Sequence, residues 1–177
     1  LAYFLSDAEP KVVVCDPSAQ ALMDLARERN IAHVLTLDAT GTGTLTDDAR
    51  DKPETFASVA SRGDDLAAML YSSGTTGRPK GVMLSHANLA ANAAALHQVW
   101  GFRPDDVVLH ALPIFHTHGL FVALGTVLWN GSGMIFHLRF AAEEVLTDLP
   151  RATIFMGVTR SEEHTSELQS PMYLVCR

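Results

Sequence analysis

Between Tyr71 and Gly81 the chain reads Tyr-Ser-Ser-Gly-Thr-Thr-Gly-Arg-Pro-Lys-Gly, which crowds four Ser/Thr hydroxyls, three glycines and two cations into one short stretch. These residue types suit an anion. Glycines let backbone N–H groups approach a phosphate with no Cβ in the way. Ser72, Ser73, Thr75 and Thr76 can donate hydrogen bonds to phosphate oxygens, Lys80 adds a point charge, and Pro79 restricts the backbone. The spacing is not that of a Walker A loop, because no Gly-Lys-Ser/Thr triplet occurs and Pro79 stands five residues beyond Gly74. Composition alone also suits a plain polar surface loop.

A second constellation is Leu112-Pro113-Ile114-Phe115-His116-Thr117-His118-Gly119-Leu120, with two imidazoles two positions apart. Such a pair could contribute to a metal site, but no Cys, Asp or Glu stands nearby to complete a ligand set, and no metal is assigned. It could instead cap and pack a helix. The reading favoured here places His118, and secondarily His116, in a substrate pocket, where imidazole can hydrogen-bond a carboxylate or, protonated, offset its charge. His33, His86, His97, His110 and His137 lack such a setting, and structural roles are expected for most of them.

Around these segments, short β-branched runs alternate with helical spacing. Strands are expected at Lys11–Cys15, His33–Leu37, Leu66–Tyr71, Val107–Leu112, Gly133–His137 and Thr153–Met156. Helices are expected at Ala19–Arg29, from an N-cap at Ser85 to about Trp100, from Gly119 to about Asn130 with Gly131 as terminator, and at Ala141–Leu149. Asp38–Pro53, rich in Gly, Thr and Asp, is expected to be a surface loop. The alternation predicts an α/β fold, a layered and mostly parallel sheet flanked by helices.

With 177 residues, 47% hydrophobic and 19% charged, the composition suits one globular α/β core. The net charge of −7 disfavours nucleic acid or an anionic membrane as partner. The longest apolar run, Leu120–Trp129, is too short to span a bilayer, and no leader pattern opens at Leu1. Cys15 and Cys176 are read as free thiols in a reducing compartment, with the cytoplasm as default.

From Arg160 the pattern changes. Arg160–Ser170 (RSEEHTSELQS) resembles the in-frame translation of a common sequencing-library adapter, so residues 160–177 are expected to be foreign and His164 and Cys176 not to be sites. Residues 1–159 are then a partial N-terminal domain.

Tyr71–Gly81, continued by Val82-Met83-Leu84-Ser85-His86, closely resembles the signature of the adenylate-forming superfamily of acyl-CoA synthetases, luciferases and peptide-synthetase adenylation domains. The resemblance implies that Ser72, Ser73, Gly74, Thr75, Thr76, Gly77 and Lys80 hold the β- and γ-phosphates of ATP, with Arg78 at a position the family varies. It likewise implies that the His116/His118 segment lines the acyl pocket. Leu1–Pro10, His110–Ala123 and Arg151–Val158 resemble the malonyl-CoA and methylmalonyl-CoA synthetase branch. The implied function is AMP-forming ligation of a small carboxylic acid, such as malonate or methylmalonate, to CoA, with ATP and Mg²⁺. A fatty acyl-CoA synthetase, another adenylating enzyme and a non-catalytic ATP-binding module are the alternatives. The resemblance also places the adenine- and ribose-binding motifs, an arginine for a second carboxylate and the catalytic lysine beyond Val158. Residues 1–177 expressed alone are therefore expected to form no acyl-CoA in a thioester assay, and detectable product would contradict that expectation.

Overall fold

The computed structural model describes residues 1–72 and 79–157, together with the backbone of 174–176. It divides into two compact units, one formed by Leu1–Ser61 and Ala68–Met83, the other by Arg62–Ala67 and Leu84–Arg177.

The first unit begins with helix α1 (Ala2–Ala8), which closes on Glu9 in the left-handed conformation. Strands β1 (Val12–Cys15) and β2 (His33–Thr36) pair in parallel, Val13 opposite Val34. A parallel pair needs a crossover, and α2 (Gln20–Glu28) supplies it, burying Met23 and Ala26. Asp16 starts that crossover by accepting hydrogen bonds from the backbone N–H and hydroxyl of Ser18, a local turn that competes with strand continuation.

The stretch expected to be a loop contains a helix, α3 (Thr44–Arg50). Its start is fixed by reciprocal bonds. The Thr36 N–H donates to Thr44 Oγ1, and the Thr44 N–H donates to Thr36 Oγ1. Gly43 is required just before it, since a Cβ there would lie 2.1 Å from the Thr36 carbonyl oxygen. Strands β3 (Leu66–Ser72) and β4 (Lys80–Ser85) pair with each other; β4 extends the sheet structure into a segment that had been read only as the lead-in to a helix.

In the second unit Ser85 caps α4 (His86–Trp100), accepting from the Asn88 N–H while the Asn88 side chain accepts from the Ser85 N–H. Such a reciprocal cap contributes about 1 kcal/mol. Gly101 in the left-handed region ends the helix, and β5 (Val107–His110) follows. Strand β5 lies between β6 (Gly133–Phe136) and β7 (Ile154–Gly157), parallel to both, and the short β8 (Leu174–Cys176) runs antiparallel on the far side of β7.

The mostly parallel α/β expectation holds, with the strands distributed over three sheets. Successive residues of β5 point to opposite faces. Val108 joins Phe102, Leu112, Ala123, Val127, Ile154 and Met156 on one side, and Leu109 joins Ala111 and Val145 of α6 (Ala142–Asp148) on the other. A parallel strand covered on both faces reads as the continuous apolar run Val-Val-Leu. The buried Asp106 carboxylate ties the entry of β5 to β7, accepting from the Arg103 N–H at 2.7 Å and from the Thr153 hydroxyl at 2.8 Å. Among the described residues, no helix is long and apolar enough to cross a membrane.

Candidate active site

Of the residues assigned to phosphate binding, Ser72 and Lys80 are described. Ser73, Gly74, Thr75, Thr76 and Gly77, together with Arg78, lie outside the described residues. Ser72 is the last residue of β3 and Lys80 the first of β4, and both are exposed. A cleft of about 670 Å³ opens beside them, with Tyr3, Asp7, Pro79, Lys80 and Gly81 in its wall.

The residues flanking this segment are held from helix α1. The Tyr3 hydroxyl donates to the Pro79 carbonyl at 2.8 Å, and the Tyr71 hydroxyl donates to Asp7 Oδ2 at 2.7 Å. The hydrogen bond to Asp7 pushes the Tyr71 phenol up to about 12, with burial and the Asp7 charge adding to the effect. Tyr71 therefore remains a donor throughout the neutral range. Sequence reasoning missed Tyr3 and Asp7. The available signal was their spacing of four, which puts both on one face of a short helix.

The second constellation forms at the C-terminal end of parallel strand β5, where open α/β sheets place their ligands. The chain leaves the sheet at His110, turns at Pro113, where the His116 N–H donates to the Pro113 carbonyl at 3.2 Å, and enters a helix at His118. The expected α-helix is a π-helix over His118–Leu124 that continues as α5 (Gly125–Asn130), and Gly131 ends it in the left-handed region. One-turn π segments recur at functional sites because the extra residue per turn re-aims side chains. Gly119 makes the turn possible, since a Cβ there would sit 2.3 Å from the Pro113 carbonyl oxygen.

The two predicted imidazoles differ in environment. His116 is exposed, its ring 5.3 Å from that of Phe115. His118 is partly buried, and burial holds its pKa below the ordinary imidazole value. It therefore presents a neutral ring at pH 7, so hydrogen bonding and not positive charge is what it can offer a carboxylate. This corrects the protonated option considered from sequence.

His110 is the unexpected member. It is fully buried, its ring lies 5.0 Å from that of Phe136, and neither ring nitrogen has a hydrogen-bond partner among the described residues. Burial first, and then repulsion from His118, pushes its pKa down. His137 has a structural setting instead, with Nε2 3.0 Å from Asp148 Oδ2, and Asp148 also accepts from Arg151 at 2.7 Å. Hydrogen bonds from His137 and Arg151 hold the Asp148 carboxyl below its usual range. Among the described residues, no group of three or more His, Cys, Asp or Glu is placed to hold a metal ion.

The family model for the AMP-binding enzymes matches residues 1–170. The chain belongs to that family. The mitochondrial malonate–CoA ligase ACSF3 of Bos taurus is 32% identical over 163 residues, a match covering 89% of this chain and 27% of that protein. The crystal structure of ATP-bound MatB from Rhodopseudomonas palustris is 52% identical with a TM-score of 0.83, covering 89% of this chain and 31% of that one. A malonyl-CoA ligase solved with methylmalonyl-CoA and AMP is 29% identical with a TM-score of 0.66, covering 87% and 30%. The chain thus spans less than a third of these relatives' length. The N-terminal strand–helix order and the Tyr71–Gly81 signature are features of the AMP-binding family, and the family match runs into the segment that begins at Arg160.

The buried imidazoles set a pH dependence. A histidine whose folded pKa is depressed contributes stability that is present above the ordinary value of 6.5 and is lost as pH falls below it toward the folded value. Denaturant midpoints should therefore drop between pH 7 and pH 5, and His110→Phe should flatten that drop; an unchanged slope in the variant would contradict the assignment.

Proposed function

We propose that this chain is the phosphate-binding portion of an AMP-forming acid–CoA ligase whose acid is a small dicarboxylate, malonate or methylmalonate. The observation that carries the reading is the Tyr71–Gly81 signature, flanked by β3 and β4, in a chain 52% identical to ATP-bound MatB. The names of the malonate–CoA ligase and of the methylmalonyl-CoA complex support the choice of acid.

In the first step a carboxylate oxygen attacks the α-phosphorus of ATP. The bond from that phosphorus to the bridging oxygen breaks, giving acyl-adenylate and pyrophosphate. In the second step the CoA thiol, losing its proton, attacks the acyl carbon and AMP departs. Charge accumulates on the pyrophosphate oxygens as the first bond breaks, so preorganised donors and cations around them lower the barrier. Ser72 and Lys80 fit that need from opposite ends of the segment, and Ser73, Gly74, Thr75, Thr76 and Gly77 complete the proposed set. Mg²⁺ is proposed to arrive on the nucleotide phosphates. His118, neutral and partly buried at the exit of β5, is proposed to donate an N–H to the acid, with His116 farther out in solvent.

Cys15 is a free thiol, consistent with a reducing compartment, and the cytoplasm is the proposed location. Residues 160–177 are proposed to be foreign, on the strength of the adapter match. Genomic sequence running uninterrupted through codons 160–177 as written here would contradict that.

In the full-length protein, malonate- or methylmalonate-dependent ATP–pyrophosphate exchange is expected, and Lys80→Ala should reduce it by about a hundredfold or more, as loss of a preorganised charge at a developing anion does. Exchange supported only by fatty acids would overturn the choice of acid. Undiminished exchange in the variant would overturn the site.

A further inference from the structure

Helix α1 lies outside every motif discussed above, yet its two polar side chains both end on the borders of the phosphate segment. The Tyr71 hydroxyl bonds Asp7 immediately before Ser72, and the Tyr3 hydroxyl bonds the Pro79 carbonyl immediately before Lys80. Ring contacts add to the grip. The Phe4 and Tyr71 centroids are 4.7 Å apart at 69°, and those of Tyr3 and Tyr71 are 6.2 Å apart at 73°, both the edge-on geometry that aromatic quadrupoles favour. Gly81 leaves room for the arrangement, because a Cβ there would stand 3.2 Å from Met69 Sδ and 3.4 Å from both Asp7 Oδ2 and Tyr71 Cε1.

We propose that Tyr3 and Asp7 are positioning residues for nucleotide binding, fixing Tyr71 and Pro79 so that Ser72 and Lys80 are held at a set spacing before the phosphates arrive. The inference rests on the reading of Tyr71–Gly81 as the ATP-binding segment. Its physical basis is preorganisation. Chain ends that are already fixed have less conformational freedom to lose when a ligand orders the residues between them. Neither residue touches the reacting atoms in this account, so their removal should weaken nucleotide binding and leave the chemical step alone. The raised phenol of Tyr71 gives the grip a spectroscopic signature that does not depend on catalysis.

The test uses the full-length protein and has two arms. In pyrophosphate exchange, Tyr3→Phe and Tyr71→Phe should each raise the KM for ATP by about three- to tenfold, the worth of one hydrogen bond, while kcat and the KM for the acid stay within about twofold. Asp7→Asn is kept out of this arm because it also removes a negative charge from the cleft.

In the second arm, a pH-jump absorbance titration of wild type minus Tyr71→Phe should show one phenol ionising near 12, and Asp7→Asn should move it toward 10. The Asp7–Tyr71 bond is fully present below the ordinary phenol value and is lost as pH rises through about 12. An unchanged KM for ATP, or an equal rise for ATP and acid, overturns the positioning role. So does a Tyr71 phenol that ionises near 10 in the wild type or is unmoved by Asp7→Asn. A high-titrating phenol in a protein that exchanges no pyrophosphate overturns the nucleotide reading itself, and with it the purpose assigned to the grip.

Discussion

A segment made to receive a polyanion must consist of glycines, hydroxyls and cations, and such residues have almost no apolar surface with which to hold their own place. Something outside the segment has to do it. In this protein the Tyr71 phenol, bonded to Asp7 at 2.7 Å, and the Tyr3 phenol, bonded to the Pro79 carbonyl at 2.8 Å, meet that constraint. Both contacts join residues more than sixty positions apart, so the borders of the segment are defined by tertiary structure and not by local turn preference. The carboxylate serves the protein twice. It orients a phenol, and in doing so it keeps that phenol protonated well past neutrality.

The second unit solves a related problem by burial. Strand β5 is covered on both faces, so its last residue, His110, is fully inside the protein before the chain can turn. The turn at Pro113 and the close approach of Gly119 to the Pro113 carbonyl then start a π-helix at His118. The same apolar surroundings that make the turn rigid keep His110 and His118 neutral. A neutral donor at a carboxylate pocket favours recognition by hydrogen bond over recognition by charge, and leaves charge neutralisation to residues elsewhere.

Much of this was legible in the residues themselves. Val-Val-Val-Cys, Val-Val-Leu-His and Ile-Phe-Met announce strands because β-branched and apolar runs that short suit little else. Ser85 with Asn88, and Gly131, mark helix ends by chemistry that acts within one turn. The misses share a cause. Helix α3 (Thr-Leu-Thr-Asp-Asp-Ala-Arg) lacks an apolar stripe and starts where Thr36 and Thr44 bond each other across a turn. Helix α1 is too short to be stable by propensity and depends on partners in β3 and at Pro79. The π-helix runs through His-Gly-Leu-Phe-Val-Ala-Leu, where nearly every residue is apolar and no periodicity can distinguish one helical pitch from another. His118 could be picked out as a site residue by its neighbours, whereas the burial of His110 emerges only once the sheet is assembled around it.

The central claim is that the nucleotide's phosphates meet the chain at Lys80, and the lysine content makes it directly measurable, because Lys11, Lys52 and Lys80 are the lysines of this sequence. An acyl-phosphate derivative of ATP transfers its acyl group to whichever amine lies beside the phosphates, and peptide mass spectrometry of the labelled full-length protein identifies that amine. The account predicts acylation at Lys80, suppressed by excess ATP, with Lys11 and Lys52 labelled only at the background level of exposed lysines. Equal labelling of all three, or labelling of Lys80 that excess ATP does not suppress, would contradict it.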